Sequence, residues 1–297
     1  MALSHDPLWP RAGDWPSFDD VPGRVDAAIL GVPAWRTSLS PTGAHATPTA
    51  VREALRRFSP TLLGASPVDL NDVLAIVDAG DVVEPDGPEG EASVRSRVGQ
   101  LRTRAEFVIA LGGDNSATFA VAQGMDAAGL ITLDAHFDLR DGISNGSPVR
   151  RLVEGGLDPR RIVQVGIADF ANSAAYARRA VELGITVITL DDVRRRGVPE
   201  VMAGALAVAG AGPGAVHLDI DVDVCDRAVA PGCPASVPGG LAAWELRALV
   251  RTAASDPRVR SADIVEVDAT ADAPDGRTVR LAALCVLELL AGRAVLS

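Results

Sequence analysis

Two acidic motifs contain the residues of this 297-residue chain that could do chemistry. Asp134, His136 and Asp138 follow the apolar stretch LITL, and a spacing of two puts their side chains on one face while the chain stays extended. The segment HLDIDVDVCD (217–226) repeats this pattern, because its acidic residues alternate with apolar ones. Carboxylates at buried strand ends repel one another unless a cation neutralises them. Mostly carboxylate ligands with one imidazole suit a hard divalent ion such as Mn(II), and the shortage of cysteine argues against structural zinc.

The strand pattern explains how these motifs could meet. Short apolar segments alternate with helical patterns along the chain, as expected for repeated β-α units that form a parallel sheet. The strand candidates are 27–32, 74–80, 106–113, 130–135, 161–167, 185–190, 215–221 and 263–268, and the helical candidates are 48–58, 93–104, 116–128, 172–183, 242–254 and 278–291. In open parallel sheets, ligands bind at the carboxyl ends of the strands. Because a third motif, GGDNS (112–116), also follows an apolar strand, the pattern favours a metal site over isolated solvated turns.

The composition limits the class of protein. The chain is 47% hydrophobic and only 4% aromatic, so its core has to consist mainly of Val, Leu, Ile and Ala, which suits a buried parallel sheet.

We expect one domain over residues 1–297, with an irregular segment at residues 1–25. The net charge of −11 argues against a nucleic-acid partner. The three cysteines do not have the spacing of metal ligands or of a redox pair, which favours reduced thiols. We find neither a secretory signal nor a membrane span in the sequence. Together these features favour a cytoplasmic protein with no membrane partner.

These motifs resemble those of the ureohydrolase family, which includes arginases, agmatinases and formimidoylglutamases. The resemblance runs from about residue 26 to about residue 292, and its motifs are GAHATPTAVR (43–52), DAGD (78–81), GGDNS (112–116), DAHFD (134–138), DIDVDVCDRAVAPG (219–232) and EVDATAD (266–272). The resemblance implies a three-layer α/β/α fold of the arginase/deacetylase type, with a central, mainly parallel sheet of about eight strands. It also implies hydrolysis of a small guanidino or formimino compound by a homo-oligomer, a trimer or a hexamer.

The resemblance also implies a ligand set for Mn(II). When the metal ligands of the family are carried over residue by residue, they correspond to Asn115, Asp134, His136, Asp138, Asp221 and Asp223. Asn115 stands where the Gly-Gly-Asp-His motif of the family has histidine, and a neutral amide oxygen is usually a weaker partner for Mn(II) than imidazole. We therefore expect two Mn(II) ions per chain, one of them weakly bound. His217 and Asp219 would support the ligands.

The motif wording is closest to the formimidoylglutamase branch, in DAHFDLR (134–140) and SNGSPVR (144–150). This implies hydrolysis of N-formimidoyl-L-glutamate to L-glutamate and formamide, in histidine degradation. The catalytic residues would be Asp138, His136 and Glu266, with Asp138 handling protons and Glu266 holding the amidinium nitrogen. The expected substrate contacts are Arg150, Asn145, Ser147 and His45, although His45 also fits a structural role. Arg150 is the first choice for the substrate carboxylates because a guanidinium pairs with them, whereas Arg140 and Arg151 are expected at the surface.

Two alternatives stay open on the sequence. A guanidino hydrolase that releases urea from agmatine or guanidinobutyrate would keep the same metal chemistry. A metal-poor, non-catalytic family member would fit Asn115 and Arg227, which stand where the family has histidine and proline. The product released separates the first alternative from a formimidoylglutamase, and the metal content tests the second.

Overall fold

The computed structural model describes residues 6–64 and 66–296 and is organised around one eight-stranded parallel sheet. The strands are β1 (Val25–Val32), β2 (Thr61–Leu62), β3 (Val68–Asp69), β4 (Ile76–Asp81), β5 (Ala105–Gly112), β6 (Ala127–Leu133), β7 (Ile162–Ile167), β8 (Thr186–Thr189), β9 (Ala215–Asp221) and β10 (Val259–Val265). Their order in the sheet is β4-β1-β5-β10-β9-β6-β7-β8, while β2 and β3 form a separate antiparallel pair. The predicted fold class is confirmed, and each predicted strand overlaps one strand of the large sheet.

Ten α-helices in the described part of the chain accompany the sheet. They are α1 (Thr47–Leu55), α2 (Leu70–Val73), α3 (Gly87–Leu101), α4 (Ser116–Gly124), α5 (Pro148–Glu154), α6 (Ala174–Leu183), α7 (Leu190–Arg196), α8 (Val198–Ala209), α9 (Ala243–Ala254) and α10 (Arg277–Ala294). The predicted helices overlap six of these and omit α2, α5, α7 and α8. Two of the omitted helices carry start signals, since α5 begins with Pro148 and α7 has a capping box between Thr189 and Asp192. None of the described helices is both long and apolar enough to cross a membrane.

Helices pack on both faces of the sheet and make three layers. On one face, side chains such as Leu133 and Leu218 share a core cluster with residues of α1, α8, α9 and α10. On the other face, two clusters contain residues of α3, α4, α5 and α6, with Val108 and Leu130 from the sheet. Because both faces are covered, the strands are apolar throughout, apart from the buried polar residues described below.

The N-terminal segment precedes the first strand. Residues 6–24 form turns and one isolated bridge, from Ser17 to Asp78, and contain no helix or regular strand. Residues 1–5 of the predicted irregular segment, and residues 65 and 297 of the predicted domain, lie outside the described residues.

The strand order decides where the sequence motifs meet. Strands β9 and β10 lie between β5 and β6, so that β5, β10, β9 and β6 are neighbours at the centre of the sheet. Asn115, Asp134, Asp221 and Glu266 stand at or just after the carboxyl ends of these four strands. Since parallel strands end at the same edge, four motifs that are far apart in sequence share one site.

Candidate metal centre

Five side chains form two overlapping groups with the geometry of metal ligands. Asp134, His136 and Asp223 make one group, and Asp134, Asp138 and Asp221 make the other; within each group the ligand atoms lie within 4.8 Å of one another. The four aspartates are buried, and His136 is partly exposed. Asp134 belongs to both groups, and its buried Oδ2 atom has no hydrogen-bond partner among the described residues. A buried carboxylate oxygen without a partner is the kind of atom that a cation would satisfy.

The backbone at these ligands turns where the sequence pattern suggested an extended chain. The expected continuation of β6 to residue 135 is wrong, because β6 ends at Leu133 and Asp134 Oδ1 accepts a hydrogen bond from His136 N at 2.6 Å. Asp221 Oδ1 accepts from Asp223 N in the same way, at 2.9 Å. These local bonds withdraw the N–H groups from the sheet and bend the chain, so the ligands converge through turns.

Two acidic residues of the site adopt left-handed backbone conformations. Asp138 has φ of 51° and Glu266 has φ of 61°. Such angles are uncommon for residues other than glycine and are maintained only when the surrounding structure enforces them. The conformation of Glu266 also explains why the predicted strand 263–268 ends early, since β10 stops at Val265.

Burial and mutual repulsion shift the pKa values of the cluster. Burial, followed by repulsion from Asp223, raises the pKa of Asp134 from 3.8 to about 6. Burial likewise raises the pKa of Asp138 and of Asp221, with repulsion from neighbouring carboxylates adding to it. For His136, burial lowers the pKa, but the carboxylates of Asp223 and Asp134 outweigh burial and raise that pKa to about 12. Protons thus balance the charge of the cluster, and a cation would bind in exchange for them.

We expect the affinity of the cluster for Mn(II) to rise with pH, by about tenfold per pH unit for each proton released. The raised pKa of Asp134 favours the protonated carboxyl in the folded chain, so its contribution to stability is present below about pH 4 and is lost as pH rises through about 6. Mn(II) offsets this loss, so it should raise Tm more at about pH 8 than at about pH 6. Titration calorimetry and thermal unfolding at both pH values check this, and equal affinity at both would contradict it.

Asn115 lies beside the second group. Its Nδ2 donates to Asp138 Oδ2 at 2.5 Å and to Asp221 Oδ2 at 3.2 Å, while its Oδ1 accepts from Thr118 Oγ1 at 2.6 Å. The amide nitrogen therefore faces the carboxylates where a cation would lie. Turning the amide over would present its oxygen to a cation, and the Thr118 hydroxyl could then accept the N–H in return.

A cavity of about 330 Å³ adjoins the cluster. His136, Asp138, Asp221, Asp223 and Glu266 line it on the side of the metal ligands. The other lining residues are Leu39, Ser40, Phe137, Leu139, Arg140, Asn145, Gly146, Ala171, Asn172, Ser173, Tyr176, Pro234 and Ala235. One end of the cavity is therefore strongly acidic. Arg140 and Tyr176 line other parts of its wall.

Glu266 offers one carboxylate oxygen to the cavity. Its Oε1 accepts from Asn115 N at 2.8 Å and from Asn145 Nδ2 at 2.7 Å. Its Oε2 has no hydrogen-bond partner among the described residues. Burial, followed by repulsion from Asp114, raises the pKa of Glu266 to about 8. A cationic N–H group that entered the cavity would find in Oε2 an acceptor held in place by the bonds to Oε1.

Of the predicted substrate contacts, only Asn145 lines the cavity. Besides its bond to Glu266, Asn145 accepts at Oδ1 from Leu39 N at 3.0 Å. Ser147 is fully buried, and its hydroxyl donates to Ser144 O at 2.7 Å and accepts from Ser144 N at 2.9 Å. Ser147 therefore shapes the loop before α5 and does not reach the cavity.

Arg150 and His45 also lie outside the cavity lining. Arg150 Nε donates to Arg140 O at 2.6 Å, and its other nitrogens bond Gly142 O and Glu154. Because α5 starts at Pro148, the Arg150 side chain folds back over the preceding loop, and the geometry does not support it as a substrate contact. The exposed His45 packs against Trp35, with the ring centroids 5.0 Å apart.

Arg140 lines the cavity, whereas the sequence suggested Arg150 for the contact with the substrate carboxylates. The Arg140 side chain is exposed and passes over Gly146, where an added Cβ would lie 2.7 Å from Arg140 Cδ. Within residues 6–64 and 66–296 its guanidinium has no hydrogen-bond or ion-pair partner. The cavity thus contains an unpaired cation on its wall as well as the acidic cluster.

Asn172 and Tyr176 are cavity residues that sequence reasoning missed. Asn172 Oδ1 accepts from Phe137 N at 3.1 Å and its Nδ2 donates to Ala135 O at 2.8 Å, so it braces the backbone between the ligands. Tyr176 lies in the first turn of α6 and is the single tyrosine of the chain. The segment ADFANS (168–173) before α6 could have indicated such residues, because its polar Asn-Ser pair follows soon after the end of a strand.

The model of the arginase family matches residues 25–292, which is most of the chain. The chain belongs to the arginase family. Formimidoylglutamase of Halalkalibacterium halodurans is 35% identical over 288 residues, which cover 92% of this chain and 89% of that protein. The crystal structure of formimidoylglutamase from Bacillus subtilis superposes with a TM-score of 0.91 at 30% identity, over 99% of this chain and 95% of that one. Formiminoglutamase of Trypanosoma cruzi with Mn²⁺ gives a TM-score of 0.80 at 25% identity, over 91% and 93% of the two chains. As an arginase-family protein with these relatives, the chain is a hydrolase of amidine C–N bonds.

Proposed function

We propose that this chain uses Mn(II) to hydrolyse N-formimidoyl-L-glutamate to L-glutamate and formamide. The observation that carries the proposal is one cavity lined both by an acidic cluster with Glu266 and by Arg140, whose guanidinium has no partner in the described part of the chain. The substrate has matching chemistry, with a cationic amidine at one end and two carboxylates at the other. Relatives named formimidoylglutamase, at 30% and 35% identity over most of the chain, support this substrate.

The donor set fits manganese. Carboxylates with a single imidazole suit Mn(II), and the orphaned Oδ2 of Asp134 needs a partner of positive charge. The ligands would be Asp134, His136 and Asp223 in one group and Asp134, Asp138 and Asp221 in the other. When bound, Mn(II) would supply Lewis acidity and lower the pKa of a bound water. The Trypanosoma cruzi relative, whose structure contains Mn²⁺, supports the choice of metal.

The protein side chains would orient the substrate and move protons. Glu266 Oε2 would accept an N–H of the amidinium and fix the formimino carbon next to Asp138. Asp138 would accept a proton from the attacking water and pass it to the glutamate nitrogen. The oxygen of water bonds to the formimino carbon, the bond from that carbon to the glutamate nitrogen breaks, and the protonated nitrogen leaves as an amine. Arg140 would hold a carboxylate of the glutamate moiety, the role first expected for Arg150.

We propose two Mn(II) ions per chain, of which the ion at the second group is the weaker because Asn115 offers a neutral amide. Asn115→His is expected to lower the Kd of that ion by about tenfold or more, since imidazole binds Mn(II) better than an amide. Titration calorimetry should resolve one tight and one weak site in the wild type and two tight sites in the variant. A single site in both proteins would contradict the proposed second ion.

Asn145 is expected to position Glu266 rather than bind substrate. Asn145→Ala removes the hydrogen bonds to Glu266 Oε1 and from Leu39 N, and we expect kcat/KM to fall by about tenfold to a hundredfold. Asn145→Asp keeps an acceptor for Leu39 N but places a second carboxylate next to that of Glu266. The fall in kcat/KM should therefore be larger for Asn145→Asp than for Asn145→Ala. Steady-state kinetics with Mn content measured on each variant checks this. Activity of Asn145→Ala equal to that of the wild type would sink the positioning role.

The substrate proposal is tested by a product assay on Mn(II)-loaded protein. The reaction with N-formimidoyl-L-glutamate is assayed for released glutamate and formamide. The reactions with arginine, agmatine and guanidinobutyrate are assayed for released urea. Formamide release supports the proposal. Urea from a guanidino compound would keep the metal chemistry and replace the substrate, whereas inactivity on every compound with less than about one Mn(II) per chain would indicate a metal-poor member of the family.

We further propose that the enzyme is a single-domain, cytoplasmic homo-oligomer, a trimer or a hexamer, that acts in histidine degradation. These features rest on the family resemblance and on the substrate proposed above. Light scattering after size-exclusion chromatography gives the number of chains in the oligomer, and a monomer would contradict this part.

A further inference from the structure

Two side-chain amides bond both backbone polar groups of Phe137, the residue between His136 and Asp138. The N–H of Phe137 donates to Asn172 Oδ1 at 3.1 Å, and its C=O accepts from Gln164 Nε2 at 2.8 Å. In the described part of the chain, no backbone group bonds either atom. Gln164 has zero solvent exposure. Because the loop has left the sheet after β6, the two amides provide the bonds that strand pairing would otherwise have given.

Asn172 brackets the backbone of His136. A peptide unit is planar, so a hydrogen bond to its N–H or its C=O limits the rotation of the whole unit. Asn172 holds the unit after His136 through the N–H of Phe137, and the unit before it through Ala135 O, to which its Nδ2 donates at 2.8 Å. With both units held, the direction of the His136 side chain is set, and its Nδ1 lies 3.0 Å from Asp223 Oδ2.

Gln164 holds the peptide unit that leads into Asp138. On the other side of Asp138, its carbonyl oxygen accepts from Arg150 N at 3.3 Å. The left-handed φ of 51° between these two bonds is a conformation that persists only where the surroundings enforce it. Without the bond from Gln164, the unit before Asp138 could rotate and φ could return to a negative value. The carboxylate would then point away from its present position.

We propose that Asn172 and Gln164 are positioning residues that divide this loop between them. Asn172 sets the direction of His136, and Gln164 sets the direction of Asp138. Both atoms of the Asn172 amide are engaged by backbone groups, and Gln164 is outside the cavity lining, so each acts through the loop backbone. The inference rests on the Mn(II) of the proposed function and does not depend on its substrate. Groups that orient metal ligands typically change metal affinity by about tenfold to a hundredfold.

Asn172→Ala is expected to weaken the tighter Mn(II) site, which contains His136. The Kd of that ion should rise by about tenfold or more in titration calorimetry. His136 supplies the imidazole of the two ligand groups, so nitrogen modulation of the Mn(II) electron spin echo reports its coordination. We expect the modulation per bound ion to fall by about half or more. Asn71→Ala, which loses a bond from Trp15 Nε1 at 3.0 Å, is the matched control and should retain both values.

Gln164→Met removes the donor at similar side-chain volume and should give a different pattern. The nitrogen modulation and the Kd of the tighter ion should stay within about twofold of the wild type, while the Kd of the weaker ion rises by about tenfold or more. Excess Mn(II) should restore kcat in Asn172→Ala but leave it about tenfold low in Gln164→Met, because added metal cannot redirect Asp138. Gln164→Leu takes the place of Gln164→Met if that variant does not fold.

The pattern across the two variants decides the inference. Equal losses at both sites in each variant would show that the amides only stabilise the fold, and would overturn the division. Unchanged Kd and full nitrogen modulation in Asn172→Ala would overturn it as well. A wild type without nitrogen modulation would overturn the metal centre of the proposed function together with this inference. Since calorimetry and the spin echo use no substrate, an error in the proposed substrate leaves these results unchanged.

Discussion

Replacing Asp138 with asparagine is expected to lower kcat for formamide release by about 10³-fold while leaving the chain folded. Asp138 lines the cavity, belongs to the group with Asp134 and Asp221, and is placed to accept a proton from the attacking water. Asp138→Asn removes its charge and its basicity at almost unchanged shape. The left-handed backbone, with φ of 51°, makes asparagine the suitable replacement, because asparagine tolerates this conformation better than most residues.

The matched control for this prediction is Asp141→Asn. Asp141 lies three residues further along the same loop, is exposed and pairs with Arg179, so its charge does not enter the cavity. We expect Asp141→Asn to keep kcat within about twofold of the wild type, as is usual for an exposed ion pair. Steady-state kinetics and circular dichroism on both variants check the prediction. An Asp138→Asn enzyme with more than a tenth of wild-type kcat would rule out the assigned role.

Arg140→Met is expected to raise KM for N-formimidoyl-L-glutamate by about a hundredfold, with a much smaller change in kcat. Arg140 lines the cavity, and its guanidinium has no partner among the residues that the structure describes. A charge-assisted bond to a carboxylate is among the stronger polar contacts. The contact would lie far from the amidine, so it should bind the ground state and the transition state about equally. Loss of such uniform binding appears in KM.

Arg150→Met is the matched control, because the sequence alone favoured Arg150 for the same contact. Its bonds to Arg140 O, Gly142 O and Glu154 brace the loop, so we expect a lower Tm and little change in KM. Inhibition by glutamate, which lacks the amidine, gives a second readout, and only Arg140→Met should weaken it. A larger rise in KM for Arg150→Met than for Arg140→Met would restore the prediction made from sequence.

Local sequence determined the elements and the chemical type of the site. Apolar runs such as LITL and AVHLDID indicated strands, since a strand buried on both faces needs apolar residues on both sides. The acidic residues after these runs indicated a cation, because ionised carboxylates that are buried together repel one another unless positive charge neutralises them. The resemblance of the sequence motifs then indicated the family. The match of the arginase-family model over residues 25–292 shows that the chain belongs to it.

The tertiary structure decided which of these residues share a space. Strand order is a non-local property, and the placement of β9 and β10 between β5 and β6 gathers four motifs that no local pattern connects. The direction of a side chain depends on where a helix begins and on backbone angles. Arg150 is turned away by the start of α5, while Arg140 faces the cavity.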